Sequence, residues 1–227
     1  PMVQLMVYIG RDDPGVVHPV VERMLISGNY EVRQMGGQLS VIAAAWWEDP
    51  DLLESVLRVG DVANRKGAAE LVAHELVAIP ESPLIWDAYA RFTHDSESEV
   101  RQAAASLAAA CRGSKMRSIR EPIERLIESP AFEHAATQLF ISLRDAPDRV
   151  DDLVLMAAGR FIDVSGRDSS DIRTGAAADA RYLGELIIRA YAQASAVSVR
   201  SKALDILDNL LLLDAFGISE LIVKAER

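Results

Sequence analysis

The segment DSESEVRQAAASL, Asp95 to Leu107, is an acidic turn that leads into Val-Arg and then into an alanine-dense run. Its second half recurs. Blocks of the same character begin at Val32 (VRQMGGQL), Asn64 (NRKGAAEL), Val100 (VRQAAASL), Phe132 (FEHAATQL), Ile172 (IRTGAAAD) and Val199 (VRSKALDI). Most successive blocks lie roughly thirty residues or slightly more apart, the period of stacked supersecondary units. A unit that short cannot bury its own apolar face, so each repeat needs a neighbour on either side.

The block is a packing code. Val or Ile at its start and Leu or Ile further on supply an apolar stripe, and the small residues between them (Gly36, Gly37, Ala68, Ala69, Ala104, Ala105) let one helix lie close to the next. Asp95, Ser96 and Ser98 are N-cap candidates, and Asp49-Pro50, Ser82-Pro83 and Ser129-Pro130 read as a cap followed by a proline at the first helical position. Ser118 and Glu121 have capping-box spacing. The expected helices include Tyr30 to Trp47, Leu52 to Val59, a partner running to Ile79, and a central one to Arg112, with a polar loop from Asp163 to Asp171 delaying the fifth block. Val199 arrives too early for an intervening helix. Its helix is therefore expected to take the first-helix role in a terminal pair, with Ile218 to Ala225 as its shorter partner.

The fold class this implies is all-α: a right-handed α-α superhelix of about five to six helical pairs. A single domain over residues 1–227 is expected, with 194–227 as terminal capping helices. Aromatic residues make up only 6% of the chain and no strand-like alternation stands out. Residues 1–10 are almost continuously apolar, where a solenoid terminus should carry a polar face. They read as the remnant of a preceding helix, and the chain as a C-terminal fragment of a longer protein.

Charge and cysteine usage narrow the functional classes. A net charge of −10 disfavours non-specific attraction to nucleic acid and anionic membranes. Cys111, the single cysteine, excludes an intramolecular disulfide and a cysteine-built zinc site, and fits a cytoplasmic protein. His18, His74, His94 and His134 are scattered without metal-ligand spacing, and neither a P-loop nor a GxSxG elbow is present. No catalytic residue, metal or cofactor is expected.

Three sets of residues remain as candidates. Arg33, Arg65, Arg101, Arg173 and Arg200 recur at one repeat position and are expected to form a structural ladder with turn acids such as Asp61, Asp95 and Asp168. Trp46 and Trp47 are adjacent, so both cannot face one core stripe, and either is a possible partner anchor. Arg112, Lys115, Arg117 and Arg120 form a basic cluster in an acidic chain, able to meet an acidic protein partner, another domain of the parent protein, or a nucleic-acid backbone.

A helical pair whose second helix opens with an acidic turn, Val-Arg and an alanine pair resembles a HEAT repeat, most clearly at DSESEVRQAAASL; Phe132-Glu133 departs from that pattern. The segments HPVVERMLISGNYEVRQMGG, DIRTGAAADARYLGELIIRAYAQ and VRSKALDILDNLLLLDAFG also resemble the C-terminal HEAT-like region of large bacterial STAND-type ATP-binding proteins, several of which act in antiphage defence. These resemblances imply a non-catalytic protein-interaction or ligand-sensing scaffold, with any nucleotide chemistry outside this chain. The alternative is a DNA-binding enzyme of the HEAT-like alkylpurine DNA glycosylase type, which would need a basic concave surface.

Overall fold

The computed structural model describes residues 2–79, 82–148, 150–165, 176–212 and 223. Among the described residues all regular structure is helical: α1 (Met2–Asp12), α2 (Pro14–Leu25), α3 (Tyr30–Trp46), α4 (Asp51–Val59), α5 (Val62–Ala78), α6 (Pro83–Thr93), α7 (Ser98–Ala104), α8 (Leu107–Ala110), α9 (Arg120–Glu128), α10 (Phe132–Asp145), α11 (Asp151–Ser165), α12 (Ala176–Gln193) and α13 (Val197–Leu212). The chain divides into two compact units, Pro1–Cys111 with Ser129–His134, and Arg112–Glu128 with Ala135–Arg227.

In the first unit the helices that carry the repeated block lie against one another. α3 packs on α2, α4 and α5, and α5 in turn on α6, α7 and α8. The α3–α5 contact is parallel: Gln34 meets Gly67, Gln38 bonds Glu70 and Trp46 bonds Glu75, so position rises along both helices together. Glycine sets how near they come. A Cβ on Gly37 would overlap the carbonyl oxygen of Asn64, and one on Gly67 would overlap that of Gln34. Buried Asn64 completes the crossing, its amide donating to the Leu25 and Arg33 carbonyls at 3.1 and 3.2 Å.

Around this crossing sits a core of Val17, Val21, Leu39, Ala43, Trp47 and Leu52. Leu39, Val100 and Leu107 are fully buried, whereas Val32 and Leu71 are only partly covered, packing at the margin of that core. Burial of each large apolar side chain contributes about 1.5–3 kcal/mol.

Several of the expected caps are not formed. Asp49 does not cap α4; its carboxylate binds His18 of α2 at 2.5 Å. Ser82 precedes α6 without a side-chain cap bond, and α7 follows Glu97, also without one. The expected single central helix is two, α7 and α8, because i→i−3 bonds at Ser106, Ala108 and Ala109 tighten the chain between them. α5 carries a capping box, in which Asp61 and Asn64 exchange side-chain-to-backbone bonds at 3.0 and 3.1 Å.

The second unit packs α11 on α9, α12 and α13, with α12 against α13. Phe140 and Phe161 meet edge to face at 5.6 Å in its core. Ser118 donates its hydroxyl to the Lys115 carbonyl rather than opening a capping box. α10 begins at Phe132, two residues beyond Pro130. α11 extends through Asp163 to Ser165, into the expected loop; the rest of that loop, with Ile172, Arg173, Asp168 and the Ile218–Ala225 partner apart from Val223, lies outside the described residues.

Candidate interaction surface

The recurrent arginine performs the same two tasks in successive repeats of the first unit. One is to bind carbonyls just beyond the end of the preceding helix: Arg33 to Ser27 at 2.6 Å, Arg65 to Gly60 at 2.7 Å, and Arg101 to Asp95 and Ser96 at 2.9 Å. A cation there complements the negative end of the helix dipole. The other is to reach an acid one repeat on. Arg33 Nε lies 2.6 Å from Asp61, close enough to pair though not aligned as a hydrogen bond, and Arg65 grips both oxygens of Asp95 at 2.7 and 3.2 Å. Arg101 meets Glu133 at 3.3 Å.

Glu133 therefore explains the departure at Phe132-Glu133. At the position where other blocks carry the arginine, this block carries the acceptor for the arginine before it. The acids themselves are doubly used: Asp61 also accepts the Asn64 N–H and Asp95 that of Glu97, at 3.0 and 2.9 Å.

Arg200 repeats the first task only. Its Nε donates at 2.8 Å to Ala194, the residue just past α12. The same hook joins α13 to the end of α12 as it joins α3 to the end of α2. Among the described residues no carboxylate lies within ion-pair distance of Arg200.

A second polar row bridges α3, α5 and α7 on their exposed side. Tyr30 donates its hydroxyl to Glu99 at 3.1 Å, Lys66 pairs with the same carboxylate at 3.2 Å, and the Lys66 ammonium stands 5.8 Å from the Tyr30 ring. The Lys66 and Tyr30 hydrogen bonds hold the Glu99 carboxyl below its ordinary range, and the Glu99 bond raises Lys66. Trp46 is 58% exposed, yet its indole N–H donates to Glu75 at 3.1 Å, which fixes the ring. Trp47 is 8% exposed, and its ring fills the space that a side chain on Gly10 of α1 would need. It is therefore a packing residue, leaving Trp46 as the accessible one of the two.

The basic cluster lies in the second unit and comes with its own acids. Arg112 pairs with Asp145 at 2.9 Å, while Arg120 pairs with Asp152 and, at 2.6 Å, with Glu124. Asp148 accepts the backbone N–H groups of Met116 and Arg117 at 2.8 and 2.9 Å. Burial tends to raise the Asp148 and Asp152 carboxyls, but these N–H groups and the Arg120 bond outweigh it and both are lowered. Arg144 first, then Arg112, lowers Asp145. Lys115 is exposed and, among the described residues, has no carboxylate within ion-pair distance. The sequence signal for this neutralisation is the acids one repeat downstream.

His18, isolated in the sequence, has two close acidic partners in the fold. It sits between Asp49 at 2.5 Å and Glu22 at 3.6 Å, tying α2 to the turn before α4. That turn has Glu48 at φ 57°, in the left-handed region, with Asp49 N–H donating back to Ala43. Among the described residues no group of three or more His, Cys, Asp or Glu side chains is placed to hold a metal, and no helix is long and apolar enough to cross a membrane. Comparison of the chain with known protein families, curated proteins and solved structures gave no match.

Proposed function

We propose that this chain is a HEAT-like α-solenoid, a right-handed superhelix of helical pairs, acting as a non-catalytic protein-binding or sensing arm of a larger bacterial cytoplasmic protein. An arm of a STAND-type defence ATPase is the particular case that the sequence resemblance favours. The observation that carries the binding role is Trp46: an aromatic ring 58% exposed and held in place by Glu75. A large ring already immobilised loses little freedom on binding, the property that concentrates binding energy in Trp. The Glu75 carboxylate beside the ring fits a partner segment carrying a cationic side chain. The arginine device supports the solenoid part, since in the first unit Arg33, Arg65 and Arg101 each reach an acid one repeat on.

The test is photo-crosslinking from position 46 against position 91 on α6, with the purified chain added to extract of the source cells. A single protein captured from position 46 but not 91, and displaced by unlabelled chain but not by Trp46→Ala, is the expected result. Capture that Trp46→Ala displaces equally well counts against this surface. Excision of alkylated bases from duplex DNA by the chain overturns the reading in favour of the glycosylase type.

A further inference from the structure

The first unit contains a complete set of aromatic ring, carboxylate and cation. Tyr30 donates its hydroxyl to Glu99 at 3.1 Å, Lys66 pairs with the same carboxylate at 3.2 Å, and its ammonium stands 5.8 Å from the centre of the Tyr30 ring. Trp46 and Glu75 repeat the first two members without a cation from the chain. The indole N–H donates to Glu75 Oε2 at 3.1 Å, the ring is 58% exposed, and among the described residues no cation lies within ion-pair distance of Glu75. By contrast, Asp61, Asp95 and Glu133 are each met by an arginine of the preceding repeat. Glu70, also on α5, takes a neutral donor as Glu75 does, but that donor is the Gln38 amide and not an aromatic ring.

The chemistry of the Trp46–Glu75 pair specifies what it takes up. An indole face attracts cations more strongly than the other aromatic rings, and the carboxylate on its N–H adds a full negative charge at the ring's edge. The N–H lies in the ring plane, so the oxygen that accepts it lies near that plane. A compact ammonium must then divide its approach between the ring face and the oxygen. Lys66 shows the compromise, reaching its carboxylate while standing near the outer limit of about 6 Å for a useful ring contact. A guanidinium is flat, and can lie face to face on the indole while its N–H groups point outward from its edge towards the carboxylate. Glu75 Oε1, which accepts no hydrogen bond among the described residues, is the acceptor at hand.

We propose, resting on Trp46 as the binding anchor, that the protein partner presents an arginine which stacks on the Trp46 indole and donates to Glu75. It completes between two molecules the set that Tyr30, Glu99 and Lys66 form within one. The net charge of −10 favours approach of such a basic segment.

The probe is an acetylated glycine–arginine–glycine amide, with twins carrying lysine or citrulline, titrated at constant ionic strength into the isotope-labelled full chain. The indole N–H resonance of Trp46, identified by its loss in Trp46→Phe, is the signal followed. The arginine peptide should shift it saturably, and the lysine peptide should bind about threefold more weakly. Citrulline, which keeps the flat shape and the N–H donors but not the charge, should bind about fivefold more weakly or worse. Glu75→Gln retains an oxygen to accept the indole N–H, and should weaken the arginine peptide about three- to fivefold. Lysine or citrulline binding as tightly as arginine, arginine binding unaltered by Glu75→Gln, or no shift at Trp46 each overturns the proposal. If a partner is still captured from position 46 after such a result, Trp46 stands as the anchor and only its arginine is refuted; failure of that capture refutes the anchor itself.

Discussion

Gly37 and Gly67 each lie against a backbone carbonyl of the other's helix, Gly37 against Asn64 and Gly67 against Gln34, so neither position has room for a Cβ. Gly67→Ala sets two effects against each other. Alanine should gain about 1 kcal/mol of intrinsic helix stability, while the overlap is with backbone, which cannot rotate away as a side chain can. The crowding cost of about 1–3 kcal/mol or more should win, giving a net loss of stability and a lower urea midpoint. A stabilised Gly67→Ala would show that α3 and α5 do not meet at this crossing.

Arg65→Lys keeps the charge but loses the planar fork that grips both Asp95 oxygens while also reaching Gly60. The Asp95 side chain is only 10% exposed, so poor replacement leaves a largely desolvated carboxylate with the Glu97 N–H as its remaining partner. We expect a loss of about 2 kcal/mol, well above that for an exposed ion pair. Arg91→Lys on α6, whose pair with Asp87 is more than half exposed, is the control and should change stability by less than about 0.5 kcal/mol. Equal effects of the two would remove the ladder from the account of stability.

How far the sequence foretold this arrangement depended on the distance over which each residue finds its partner. The ladder was legible because Arg33 and Asp61, or Arg65 and Asp95, recur with the period itself. Caps were misjudged where a candidate residue had a distant competitor: Asp49 is taken by His18, thirty-one positions earlier. Gly67 was hidden by the alanines beside it, since local reading registers only that all three are small. In α13 two apolar stripes share one helix, and the pattern alone does not say which is buried. The basic cluster looked uncompensated because Asp145 and Asp152 lie a full repeat downstream of Arg112 and Arg120.

His18 gives the fold a dependence on pH whose sign follows from its partners. Its hydrogen bond to Asp49 raises its pKa above 6.5, burial partly opposing this and the charges of Asp49 and Glu22 reinforcing it. A group raised in the folded state contributes stability that is fully present below its unfolded pKa and is lost as pH climbs through the folded value. The melting temperature of the chain should therefore exceed that of His18→Gln most at about pH 5.5, with the gap closing towards about pH 8.5. A gap that widens with rising pH would mean that neutral His18, not the charged form, is what the fold prefers.

Trp46 and Trp47 should separate binding from folding although they are adjacent in the chain. Trp47→Ala removes a ring packed on Gly10 and among the α2 and α3 core residues, so a large-to-small loss of about 3–5 kcal/mol is expected. Trp46→Ala removes an exposed ring and one hydrogen bond to Glu75, for about 0.5–1 kcal/mol. Their order reverses in binding: Trp46→Ala should weaken the partner captured at position 46 by tenfold or more, the scale of an interface hot spot. Trp46→Phe separates the ring from its N–H, and binding kept by Phe but lost by Ala would assign the contact to aromatic area. Should Trp46→Ala lose stability as Trp47→Ala does, the ring belongs to the core and the partner surface must be sought on another side of α3 and α5.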